Sequence, residues 1–202
     1  MQIGIDGRSY EWIEDWATVP DTDSTRENGR THGVETTDDG RVVVFNQADP
    51  AVLVFDADGD LLDSWGSCFG GAHGLSRVVE NGTDYLWLTD QDSAEVAKTT
   101  LDGETVAALD PPDPPAYDDG TFVPTWVAVN ERRHGGNDDV WIADGYGENL
   151  VHRYRADGTY VESIDGREGE AGAFDCPHGI MFDTRDDTGD GEPELYVAAR
   201  GN

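Results

Sequence analysis

The sequence predicts an all-β fold: a β-propeller of four-stranded antiparallel blades, with about three and a half blades in its 202 residues. Three observations carry this. Short runs rich in β-branched and aromatic residues recur along the chain, separated by Gly, Asn and Asp, which is a strand-and-turn composition. Asp-Gly pairs recur at Asp58-Gly59, Asp102-Gly103 and Asp157-Gly158, and Asp-Gly favours hairpins because glycine tolerates positive φ. The order of runs also repeats, with first-strand positions at residues 32, 73, 125 and 178, hence spacings of 41, 52 and 53. A period of about 40 to 50 residues with four strands per period marks a propeller.

The chain reads in order as one domain, 1–202, with repeat units 32–66, 73–108, 124–166 and 178–202. Before the first unit, residues 3–5 and 10–16 are candidate strands and 18–31 a polar loop. Each unit opens on a His-Gly or Thr-Trp pair: His32-Gly33, His73-Gly74, Thr125-Trp126 and His178-Gly179. Second strands follow at residues 41–46, 85–90, 139–144 and 195–199. Third and fourth strands flank the Asp-Gly turns in the first three units. The fourth unit stops after two strands, so the expectation is an open arc whose bare edges favour self-association. Residues 110–123 form a proline-rich connection, and 130–139 and 183–194 lengthen turns inside the last two units. Asp186, Thr188, Asp190, Gly191 and Glu192 resemble half a calcium loop, but position twelve is Val197, and a solvated acidic turn is the reading preferred.

Composition excludes several roles. The chain has 43 Asp and Glu against 13 Lys and Arg, a net charge of −30, and its single lysine is Lys98. Phosphate backbones need a basic surface, so nucleic acid is excluded as a partner. The sequence has no apolar run long enough to span a membrane and shows no signal peptide, so a cytoplasmic location is the default expectation. Carboxylates spread through every turn point to a halophilic protein whose self-repulsion is screened by salt. Two cysteines, Cys68 and Cys176, imply neither a disulfide framework nor a metal motif.

Antiparallel strands put the start of strand one and the end of strand two at the same end of the propeller. His32, His73, Thr125 and His178 therefore ring one mouth of the central channel, joined by Asn46, Gln47, Asp90, Tyr146 and Arg200. Imidazole at three of four equivalent positions points to zinc, whose catalytic sites take three protein ligands and leave one position open. A histidine that only hydrogen-bonds a neighbouring loop is the plain alternative. His134 and His152 fall outside this ring and receive no role.

With those residues in place, the chain resembles the NHL-repeat six-bladed propellers, and among them peptidyl-α-hydroxyglycine α-amidating lyase (peptidylamidoglycolate lyase). The similar stretches are residues 72–76, 123–129, 143–146, 176–180 and 196–200. The resemblance implies a catalytic zinc on His73 and His178 with a third histidine from a later blade, His32 replacing it only by distorting the ring. It also implies an active-site tyrosine at Tyr146, an active-site arginine at Arg200, and a structural calcium on the main-chain carbonyls of Val34 and Leu75. Two positions depart from the family pattern. Gln47 stands where the family has a second arginine, and a neutral amide does not replace a guanidinium facing negative charge. Gly147 stands at the place of a family disulfide cysteine.

Two functions follow as expectations. One is a zinc-dependent lyase-like enzyme taking a small-molecule or peptide ligand at the channel mouth. The other is a non-catalytic propeller that binds a protein or small ligand. The charge makes its own prediction: dialysis from molar salt into dilute buffer removes the far-UV β signal, because carboxylate repulsion is then unscreened. Full retention of circular dichroism in dilute buffer contradicts a halophilic origin.

Overall fold

The computed structural model describes residues 2–5, 7–112, 117, 120–170, 172–185 and 191–201. Three four-stranded antiparallel blades run in order. The first is β3 (Thr31–Thr36), β4 (Val42–Asn46), β5 (Val52–Phe55) and β6 (Leu61–Trp65). The second is β7 (Ala72–Glu80), β8 (Thr83–Asp90), β9 (Glu95–Thr100) and β10 (Thr105–Leu109). The third is β11 (Trp126–Val129), β12 (Val140–Asp144), β13 (Leu150–Tyr154) and β14 (Tyr160–Ile164). The fourth unit is the pair β15 (Pro177–Asp183) and β16 (Glu194–Ala199). These sheets make up a partial β-propeller of about three blades. The half calcium loop lies largely outside the described residues, at 186–190.

The core lies between blades, not within them. One cluster packs Val43, Phe45 and Val52 of the first blade against Leu75, Leu86 and Leu88 of the second. The next packs Trp87 and Val96 against Val127, Val140 and Ile142 of the third. A third cluster joins Ala128, Ala143 and Val151 to Ile180. Leu86 and Leu88 face one neighbour while Trp87 between them faces the other. Side chains alternate across a strand, so a middle strand buried on both faces must be apolar at every position, which accounts for the continuous apolar runs.

First strands lie side by side around the axis, β3 against β7, β7 against β11 and β11 against β15. The glycine of each His-Gly pair sets how closely. A Cβ on Gly33 would stand 2.3 Å from Leu75 Cβ, and one on Gly74 would stand 2.6 Å from Trp126 Cα. Gly179 opens the last unit and would meet nothing within 4 Å. Side chains from adjoining blades close the inner edges. Ser76 Oγ donates to the Val127 carbonyl at 2.5 Å, while Glu35 and Glu131 accept from the amides of Arg77 and Val79 at 3.2 and 3.0 Å.

The Asp-Gly turns seat each blade on what precedes it. A Cβ on Gly103 (φ +87) would stand 2.7 Å from the Trp65 ring, whose Nε1 donates to the Leu101 carbonyl at 3.0 Å. Trp16 repeats this on the first blade: its Nε1 donates to the Ala57 carbonyl at 3.2 Å, and its own carbonyl blocks a Cβ on Gly59. Trp16 thus stands in the place of a preceding blade's outer strand.

The N-terminal region differs from expectation in two details. The second strand is β2 (Arg8–Glu11), not 10–16, because the turn at Gly7 (φ +78) pairs Ile5 of β1 (Gln2–Ile5) with Arg8. The segment expected to be loop carries a short helix, α1 (Asp23–Asn28), held by a capping box between Thr22 and Thr25. A threonine at the third helical position hides that box from a search for Ser/Thr followed by Glu/Gln. Among the described residues β1 and β2 pair with each other and not with β16.

The inner-strand approach is tested by two substitutions. Gly74→Ala drives a methyl into the main chain of β11 and costs about 1–3 kcal/mol, the range for overpacking. Gly179→Ala meets open space and stays within about 0.5 kcal/mol of the parent. Chemical denaturation of the two variants measures this, and equal costs contradict the packing described.

Candidate functional site at the channel mouth

The inner-strand approach brings the first-strand histidines together. His32 and His73 have ring centroids 4.3 Å apart, and His73 and His178 4.7 Å apart. Tyr146, one residue beyond the Gly145 that follows β12, stands 5.4 Å from both His73 and His178. Its hydroxyl lies 2.8 Å from His178 Nε2, and Arg200 Nη1 donates to the same hydroxyl at 3.2 Å with its Cζ 5.2 Å from the phenol ring. Of the residues read from the sequence, the structure thus collects His73, His178, Tyr146 and Arg200. It also places the His32 ring beside that of His73. Neighbouring inner strands are close enough for these two histidines to touch. The spacing of the repeat carries that signal.

His73 is the centre of the group. It is fully buried, and its Nδ1 lies 2.6 Å from the Thr125 carbonyl. A carbonyl only accepts, so Nδ1 carries the proton and Nε2 of the neutral ring is a lone pair. That Nε2 is buried and has no hydrogen-bond partner. Thr125 is the equivalent of the histidines in the third unit. It orients His73 through its carbonyl and is itself anchored by a 2.9 Å bond from its hydroxyl to the Pro177 carbonyl. Residue-type reasoning misses this role, because the main chain performs it.

Electrostatics keep these imidazoles neutral. Burial, then the neighbouring His32 charge, push the His73 pKa down to about 4. His32 is lowered by burial and then by Arg30, and His178 by burial and then by Arg200. Neutral imidazoles are the form that binds metal. As they stand, the His73 and His178 rings pack face to edge and the His32 ring is tilted against His73; among the described residues, no three His, Cys, Asp or Glu side chains are arranged to hold one ion. Val34 is exposed and Leu75 buried, each two residues beyond its strand's histidine, where β3 and β7 meet at Gly33. Gln47 is buried, and its main-chain N–H donates to the Arg30 carbonyl at 2.9 Å.

His152 shows what a structural histidine looks like in the same chain. Its Nε2 lies 2.6 Å from the Tyr117 hydroxyl, which donates to Asp144 at 2.6 Å, and its Nδ1 lies 2.7 Å from Ser163 Oγ, itself 2.6 Å from Tyr160. One assignment of protons satisfies every member: Tyr160 to Ser163 to His152 Nδ1, and His152 Nε2 to Tyr117 to Asp144. Nothing in that network is left open, whereas His73 Nε2 is.

No protein-family model and no curated protein matches this sequence. Among solved structures, a catalytically inactive virginiamycin B lyase from Staphylococcus aureus, with quinupristin, superposes with a TM-score of 0.56 at 15% identity, over 98% of this chain and 55% of that one. A protein of unknown function from Bacteroides caccae gives 0.53 at 12% identity, over 84% and 63%. The chain therefore shares the β-propeller fold of the lyase and spans less than two thirds of the length of either neighbour.

The depressed pKa of His73 predicts a pH dependence of stability. Below about pH 6.5 the unfolded imidazole takes up a proton, while the folded one stays neutral down to about 4. The unfolded state then binds more protons, so this group's contribution is present above pH 6.5 and is lost as pH falls through that window. Between pH 6.5 and 5, before most carboxylates titrate, His73→Asn flattens the fall in melting temperature. An unchanged slope contradicts a neutral buried His73.

Proposed function

We propose that the channel mouth is the active site of a zinc-dependent, lyase-like enzyme resembling peptidylamidoglycolate lyase and acting on a small hydroxylated or carbonyl substrate. The observation that carries this reading is the buried, unpartnered Nε2 of His73 between His32 and His178. A neutral imidazole with its Nδ1 proton fixed by a main-chain carbonyl presents its other nitrogen as a ligand lone pair. His73 and His178, with His32 in place of the family's third histidine, are the residues that would hold the ion, His178 giving up its bond to Tyr146. Bound there, zinc would polarise a substrate oxygen or lower the pKa of a hydroxyl.

The chain's own residues supply the rest. Tyr146 lies between a neutral imidazole acceptor and a guanidinium donor, a position from which a hydroxyl passes a proton to or from a substrate. Arg200 offers a forked donor to a substrate carboxylate. One propeller neighbour is a lyase whose catalytically inactive variant has a histidine replaced by alanine. A structural calcium using the carbonyls of Val34 and Leu75 is a separate proposal, tested by whether calcium raises the melting temperature.

Gln47 favours a second reading, a non-catalytic propeller that binds a protein or small ligand at the same mouth. It places a buried amide where the resembling lyase has a guanidinium. Metal analysis separates the two. The zinc reading predicts stoichiometric zinc in the protein after purification and loss of at least about tenfold in affinity on His73→Ala or His178→Ala, as for removal of a metal-site group. Metal content indifferent to both substitutions leaves the binding scaffold.

A further inference from the structure

Ion pairing across the molecule singles out two arginines at the mouth. With 43 carboxylates for 13 cations, a cationic side chain in this protein finds an acidic partner easily. Among the described residues nine of them do so within 4.0 Å. Four do not: Arg8, Arg30, Arg155 and Arg200. Arg200 stands at the His178 and Tyr146 side of the imidazole cluster.

Arg30 stands at the other side. It directly precedes β3, whose second residue is His32. Its main chain is pinned by bonds to Gln47 and Asn28 at 2.9 and 2.8 Å, and its Nε donates to Asn28 Oδ1 at 3.2 Å. Its charge reaches the His32 ring. Both guanidiniums are exposed and keep donors for a ligand.

We propose that the mouth recognises a small dianion lying across the histidines, with one acidic group on Arg200 and the other on Arg30. This makes Arg30 a specificity-determining residue and names the substrate class as a compound acidic at both ends. The inference rests on the mouth being the functional site but does not require zinc. Each end forms a charge-assisted bond of the kind guanidinium makes best. The surrounding net charge of −30 repels anions in general, so binding depends on both local cations rather than on overall attraction.

The test is calorimetric titration of the whole chain with succinate and with acetate, at matched ionic strength and the lowest potassium chloride concentration that keeps it folded. Succinate is expected to bind at least about tenfold more tightly than acetate, since one further charged hydrogen bond is worth that much. Arg30→Gln and Arg200→Gln should each abolish the preference. Arg155→Gln should retain it, because Arg155 flanks the Asp157-Gly158 turn at the opposite end. Circular dichroism checks that each variant is folded. No preference in the parent, or a preference that survives Arg30→Gln, overturns the inference. Failure of the zinc reading is a different result: a chain without histidine-dependent zinc that still shows the Arg30-dependent preference supports this inference and sinks only the metal.

Discussion

The close approach of neighbouring first strands is the constraint on which the rest of this structure depends. Glycine after each histidine lets β3 reach Leu75 and lets β7 reach the main chain at Trp126. The same step turns the histidine before each glycine into the mouth. In the first two blades fold and site thus come from one dipeptide: the residue without a side chain lets the next inner strand come close, and the imidazole beside it is carried to the mouth. The third unit, opening Thr125-Trp126, contributes differently. It lends a carbonyl that fixes the His73 proton and a hydroxyl that ties the third blade to Pro177.

Electrostatics then separate the mouth from its surroundings. Most of the surface is acidic, yet the described side chains that meet at the mouth are three imidazoles, a phenol and, at the rim, two arginines without carboxylate partners. Burial and the nearby guanidiniums act in the same direction on the histidines, keeping them uncharged. An uncharged imidazole with a free nitrogen is a ligand or a base, whereas a charged one is neither. The contrast with His152 is physical rather than positional. Both rings are fully buried, but only His152 has partners for both nitrogens.

Much of this was legible in the sequence because propeller blades repeat. The period placed His73, His178, Tyr146 and Arg200 at one end without any structural information, and the Asp-Gly turns marked the other end. What the sequence hid was hidden for definable reasons. The role of Thr125 lies in its main chain, which residue type does not reveal. The touching of the His32 and His73 rings depends on the close approach of β3 to β7 at Gly33, which residue type does not reveal. Helix α1 is capped by two threonines, outside the usual capping pattern. The orientation of Arg30 depends on Asn28 and Gln47, which come from a helix end and from the bend just after β4.

The state of one nitrogen atom carries the account, and nitrogen-15 NMR of the histidine side chains observes it directly. For His73 the account predicts the Nδ1-protonated tautomer, with the Nε2 shift of an unprotonated nitrogen and no titration between pH 8 and 5. An Nε2-protonated ring, or a His73 that titrates near pH 6.5, would contradict it.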